Sequence, residues 1–170
     1  MKTIKYLFFI LTSIVLATSC DKNENVIDEA WKIENEEAFD KQIFNPEYTK
    51  ITSQSQNGFI LYKVIEKGNG TVSPLFNDSV KVNYKGQLIN DKVFDSNWDQ
   101  KPAQFKVDGL VDGFSTALQH MKVGDVWEVW IPQKLGYGST AKSDIPAYST
   151  LIFTIDLKEI LVNKKASSQE

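Results

Sequence analysis

The amino-acid sequence predicts an α+β domain, an antiparallel sheet wrapped on one short helix, with a short helical stalk ahead of it. Apolar residues alternate with polar ones at Val80, Val82, Tyr84 and Gly86, at Trp127, Val129 and Ile131, and at Leu151, Phe153, Ile155 and Leu157. That is the period of a half-buried strand. Val111, Phe114, Leu118 and Met121 follow at spacings of three, four and three, the period of a helix. Short runs closed by turn residues, such as Lys67-Gly68-Asn69-Gly70, complete the pattern.

The first element is a targeting segment. Lys2 and Lys5 precede an apolar run from Tyr6 to Ala17, and Thr18-Ser19-Cys20 follows. The run is shorter than the twenty or so residues of a membrane span and matches a signal-peptide core. The chain's single Cys falls where such a segment is cut, so residues 1–19 resemble the signal of a bacterial lipoprotein and Cys20 its lipidated first residue. Leu16-Ala17-Thr18-Ser19-Cys20 has its Leu one place early for the usual box, and an ordinary cleaved signal with an incidental Cys is the alternative. Each buried methylene of a lipid anchor contributes about 0.8 kcal/mol, so more than one acyl chain holds stably. The expected location is the cell envelope, lipid-anchored to a bacterial membrane.

Residues 20–57 read as an acidic stalk. Between Val26 and Phe44, Ile27, Trp31 and Ala38 fit a helical stripe, and Asn45-Pro46 ends it. The stalk is either a spacer whose helix packs on its own domain or an arm that docks a partner. Ile51 to Asn57, rich in Ser, Thr, Gln and Asn, reads as a linker. The domain then runs over 58–161. Its strands are expected over Phe59 to Glu66, around Val80 to Gly86, at Val93-Phe94-Asp95, over Ala103 to Val107, over Val126 to Ile131 and from Leu151. One helix is expected from Leu110 to Met121. Residues 162–170 read as a tail.

Composition excludes several function classes. The formal net charge is −3 and every basic residue is Lys, which leaves neither the positive field nor the Arg forks of a nucleic-acid binder. One Cys and one His cannot build a disulfide framework or a Cys/His zinc site, so no metal or cofactor is expected. His120 is the only His, no nucleophile elbow accompanies it, and no phosphate loop or calcium loop is present.

What remains is a set of aromatics at strand ends and turns. Val80-Lys-Val-Asn-Tyr84-Lys-Gly86, Val93-Phe94-Asp95-Ser96 and Lys101-Pro102-Ala103-Gln104-Phe105 resemble the FKBP-type peptidyl-prolyl isomerases. So do Leu110-Val111-Asp-Gly113-Phe114, Met121-Lys-Val-Gly124-Asp125, Ile131-Pro132 with Leu135-Gly-Tyr137-Gly138, and Ile145-Pro146 with Thr150-Leu-Ile-Phe153. The Gly58-Phe-Ile-Leu-Tyr-Lys-Val64 lead-in and Lys-Pro-Ala before Phe105 are similar to the secreted bacterial branch that includes the macrophage infectivity potentiators. That branch's long dimerisation arm has no counterpart in the short stalk.

The resemblance implies a five- or six-stranded antiparallel sheet curled around one short helix, with a proline pocket between them. It implies isomerisation of X-Pro bonds in proline-containing exported polypeptides, without cofactor or metal, and macrolide-type inhibitors as ligands. Carried over by motif, the catalytic pocket is Tyr84, Phe94, Asp95, Val111, Phe114, Tyr137 and Phe153, with Leu110 and Ile145 binding substrate. Phe114 takes the floor and Phe94, Phe153 and Tyr84 the walls, while the Val111 N–H and Tyr137 hydroxyl face the substrate backbone. Asp95, hydrogen-bonded to Tyr84, has a polarising role. Trp98-Asp99-Gln100 stands where the family often has a basic partner for that Asp, and Ser139 to Asp144 is a short polar loop. A non-catalytic proline-binding module and an envelope scaffold lipoprotein are the competing readings.

Overall fold

The computed structural model describes residues 29–161; the signal segment, Cys20 and the tail over 162–170 lie outside the described residues. The elements run α1 (Glu29–Ile43), β1 (Thr49–Thr52), β2 (Phe59–Glu66), β3 (Ser79–Gln87), β4 (Val93–Ser96) and β5 (Ala103–Lys106). They continue with α2 (Asp112–Leu118), β6 (Val126–Ile131) and β7 (Leu151–Leu161). All neighbouring strands are antiparallel, in the order β1-β2-β6-β7-β3-β4. The sheet is six strands wide because β4 and β5 share one edge of β3, β5 pairing with Ser79 to Val82 and β4 with Lys85 to Gln87.

The alternating residues face one core. Val80, Val82, Trp127, Val129, Ile131, Leu151, Ile155 and Leu157 are buried together with Phe114, Ala117 and Leu118 of α2. Gly113 sets how closely helix and sheet meet: a methyl there would stand 2.3 Å from Ile131 Cγ2, so only glycine lets α2 lie this tightly on β6.

Two expected elements are corrected. The helix expected from Leu110 to Met121 spans only Asp112–Leu118, preceded by a 3-10 turn at Val107–Gly109. Leu110 and Val111 are extended, with ψ near 163° and 146°, which aims the chain into α2 from the side of the pocket. Of the linker expected over Ile51 to Asn57, Ile51 and Thr52 are instead the end of β1, with Ile51 opposite Ile60, and only the remainder is a turn, closed by the Ser53 N–H to Gly58 carbonyl bond. Its composition misleads because an edge strand with one inward side chain needs little apolar content.

The acidic helix α1 lies on the domain. Trp31 Nε1 donates to Ser149 Oγ at 3.1 Å, and the Phe39 and Phe59 rings meet at 5.6 Å. Its inward stripe is Trp31, Asn35, Ala38 and Phe39; of the expected stripe of Ile27, Trp31 and Ala38, Ile27 lies outside the described residues. Helix α1 thus packs against residues of the sheet domain through Trp31, Asn35 and Phe39.

Candidate functional site

A cavity of about 490 Å³ opens between α2 and the concave side of the sheet. β3 supplies Tyr84, β4 supplies Phe94 and Asp95, α2 supplies Phe114, and β7 supplies Phe153. The extended pair Leu110 and Val111 lines one side. Tyr137 and Ile145 reach in from the loops between β6 and β7. All nine residues selected from the sequence thus line one hollow.

Phe153 is the hub of its aromatic wall. Its ring meets Phe114 at 4.9 Å and Phe94 at 5.5 Å, both at an interplanar angle of 86°, and Tyr84 at 6.4 Å. Edge-to-face packing of this kind suits the ring quadrupoles and fixes ring orientation. Phe114 and Phe153 are only 4% and 7% exposed and lie deep in the hollow, whereas Phe94 is half-buried. Gly86 makes the wall possible. It pairs with Phe153 and Asp95 across the sheet, and a methyl on it would stand 2.5 Å from Phe94 Cε2 and 2.7 Å from Phe153 Cε1.

The polar groups sit at the rim. The Tyr84 hydroxyl donates to Asp95 Oδ2 at 2.6 Å. Burial raises the Tyr84 pKa well above its ordinary value, and the Asp95 hydrogen bond and negative charge add to the effect. Tyr84 is therefore a persistent donor, which orients Asp95 on the exposed edge of β4. Val111, the residue just ahead of α2, lines the hollow beside Leu110.

The sequence reading missed part of the lining. Phe105 belongs to it, edge-on to Tyr84 at 5.8 Å, and the Ala103/Phe105 alternation on β5 was the available signal. Lys142, Ser143 and Asp144 also line it. A turn closed by mutual Lys142–Ile145 backbone bonds brings them over the rim, and Lys92 Nζ pins it through Asp144 Oδ1 at 3.0 Å. No local pattern announces those contacts.

Chemically, the hollow is a ring-lined cleft with a few polar groups at its mouth, the usual make-up of a small-ligand site. The fold and cleft together define an α+β domain with one ring-lined hollow between helix and sheet. Residues 70–158 match the model of the FKBP-type peptidyl-prolyl cis-trans isomerase family, and the chain belongs to that family. It is 45% identical over 102 residues to the FKBP-type 22 kDa peptidyl-prolyl cis-trans isomerase of Escherichia coli, covering 59% of this chain and 49% of that one. It is 43% identical over 106 residues to the peptidyl-prolyl cis-trans isomerase Mip of Coxiella burnetii, covering 61% and 45%. The crystal structure of FkpA from Escherichia coli superposes with a TM-score of 0.69 at 32% identity, covering 78% of this chain and 60% of that one. The chain spans about half the length of the curated relatives it matches.

Proposed function

We propose that the chain accelerates cis/trans isomerisation of X-Pro bonds in exported polypeptides, with the proline ring seated on Phe114 between Phe94, Tyr84 and Phe153. The observation that carries this is the edge-packed aromatic floor in an apolar hollow whose mouth holds the Tyr84–Asp95 pair. The barrier to turning an amide is about 18–20 kcal/mol and comes from resonance across the C–N bond. Twisting removes that resonance, so the nitrogen becomes pyramidal and the carbonyl less polar. An apolar, water-poor cleft stabilises that state more than the planar one, which is differential binding of the transition state. Three to five decades of acceleration require only about 4–7 kcal/mol. Asp95 orients and polarises at the carbonyl end, while the Val111 N–H and the Tyr137 hydroxyl hold the substrate backbone. No proton transfer is needed.

The test is proline-limited refolding, or peptide isomer exchange, with the purified chain at micromolar concentration. Acceleration over buffer supports the reading. Saturable binding of a Pro-containing peptide with no exchange between isomers would favour a non-catalytic module instead. Macrolide-type inhibitors, if they share the proline pocket, compete in the same assay.

We infer the location from the leader. Lys2 and Lys5, the apolar run and Cys20 support a lipid anchor in the cell envelope, and one relative, from Legionella longbeachae, is named outer membrane protein MIP. No helix among the described residues is long and apolar enough to cross a membrane. Cys20→Ser should move the protein from the membrane fraction to the soluble one and abolish labelling by radioactive palmitate. Unchanged fractionation and labelling would remove the anchor.

A further inference from the structure

A second feature lies next to the pocket. Between β2 and β3, Val72, Leu75 and Phe76 are 66%, 64% and 53% exposed. Single exposed apolar side chains are ordinary, but three within five residues are a patch. The backbone presenting them is tied down. The Gly68 N–H donates to Asp125 Oδ1 at 2.7 Å and the Gly70 N–H to the Val123 carbonyl at 3.1 Å. At the other end the Leu75 N–H donates to Asp78 Oδ2 at 2.9 Å, while the Asp78 carbonyl accepts the Val107 N–H at 3.0 Å. The apolar side chains are therefore held out towards solvent by a fixed frame.

Phe76 also lines a groove of about 400 Å³ with Leu110, Asp108, Asp112 and Gln119. Leu110 lines the proline pocket as well, so the groove and the pocket share a wall. Two carboxylates and no lysine line the groove. An extended chain advances about 3.3–3.6 Å per residue, so a peptide seated in the pocket reaches the neighbouring groove within a few residues.

We infer that this groove and the Val72-to-Phe76 patch bind the stretch of client polypeptide flanking the target proline, selecting basic and apolar residues there. The inference rests on the proline-pocket reading and adds a specificity site to it. The apolar wall receives a large side chain, and Asp108 and Asp112 favour a Lys or Arg beside it through a contact that salt weakens. A short peptide that fills only the pocket does not sense the groove.

The test compares two substrates with the full chain. One is a tetrapeptide around Pro; the other embeds the same core in a twelve-residue peptide with Lys and Leu on both flanks. The long peptide should show a kcat/KM about five-fold higher, from partial burial of one apolar side chain. Phe76→Ala and Asp108→Asn should each erase much of that advantage while leaving the tetrapeptide rate unchanged, and replacing the flanking Lys by Glu should do the same. Equal rates for both peptides in the wild type, or losses that fall equally on both, would overturn the proposal. An advantage that changes with enzyme concentration would assign the surface to a second copy and overturn it too. If neither peptide is isomerised, the pocket reading has failed. Fluorescence anisotropy of the labelled long peptide then decides the groove: weaker binding to Phe76→Ala supports it, and unchanged binding ends it.

Discussion

Asn35 and Thr150 are 115 residues apart in the chain and bonded reciprocally: Asn35 Oδ1 accepts the Thr150 N–H at 2.7 Å, and Thr150 Oγ1 donates to the Asn35 carbonyl at 3.1 Å. Both residues are buried, and Asn35 also donates from Nδ2 to the Trp31 carbonyl at 2.8 Å. Asn is a poor choice for a helix interior unless its side chain has work outside the helix. Here that work is to fix the entry to β7, between the pocket residues Ile145 and Phe153. Trp31 reinforces it, since Ser149 Oγ accepts from its indole and donates to the Pro146 carbonyl at 2.7 Å.

Asn35→Ala therefore strands a buried backbone N–H. The expected cost is about 1–3 kcal/mol, read as a lower urea midpoint with little change in slope. Two-dimensional NMR should show the largest shifts at Ile145 to Phe153 rather than on the far edge of the sheet. A midpoint equal to wild type would mean that α1 is not part of the folded unit.

Gly86→Ala tests the aromatic wall without deleting a ring. The new methyl collides with Phe94, whose ring can yield because it is half-buried on an edge strand, and with Phe153, whose ring is held by its neighbours. The expected outcome is a stability loss of about 1–3 kcal/mol, as for other overpacked sites. A fall in kcat/KM of about tenfold or more should accompany it, because the wall moves inward. Retention of full activity would place the reacting bond away from Phe94.

Phe94→Ala and Phe153→Ala separate chemistry from packing. Phe94 contacts one ring and is partly exposed, so its loss should slow isomerisation at least tenfold or so while the melting temperature falls only slightly. Phe153 is buried against three rings, and its truncation should cost about 3–5 kcal/mol. Activity of Phe94→Ala equal to wild type would remove that ring from the site.

Much of this was legible in the sequence, for physical reasons that differ by element. Trp127, Val129 and Ile131 declare a strand because the sheet has one face on the core and the pleat alternates. The helical spacing of Phe114, Leu118 and Met121 carries one buried stripe, and Met121 keeps to it beyond the last helical turn because the His120 and Met121 N–H groups hold the chain coiled onto Ala117. β1 was not legible: Thr49 to Thr52 gains its strand character only from partners ten or so residues away, and Ile51 alone marks a face. The rim at Lys142 to Asp144 was not legible either. It is made by a turn with Ser143 at a positive φ of 44° and by a lysine fifty-two positions earlier in the chain, relationships that no local pattern encodes.

The two shifted tyrosines give a pH signature. Tyr84 and Tyr48 both have pKa values raised well above the ordinary value of about 10, each mainly by burial and then by a neighbouring carboxylate, Asp95 for Tyr84 and Glu128 for Tyr48. In the unfolded chain these groups release their protons near the ordinary value; in the folded chain they hold them to higher pH. The unfolded state therefore binds fewer protons above pH ~10, and stability present below that point falls as pH rises towards the folded-state values. Below it, Tyr84 stays a donor and the Tyr84–Asp95 bond persists, so the Tyr84 contribution to activity should be flat from neutral pH to about 9. Tyrosinate absorbance checks the assignment directly. The difference titration of wild type minus Tyr84→Phe should place one ionisation above the ordinary range, coincident with or later than the onset of alkaline unfolding. A difference curve centred at the ordinary value would mean that the Tyr84 hydroxyl is open to solvent and does not hold Asp95.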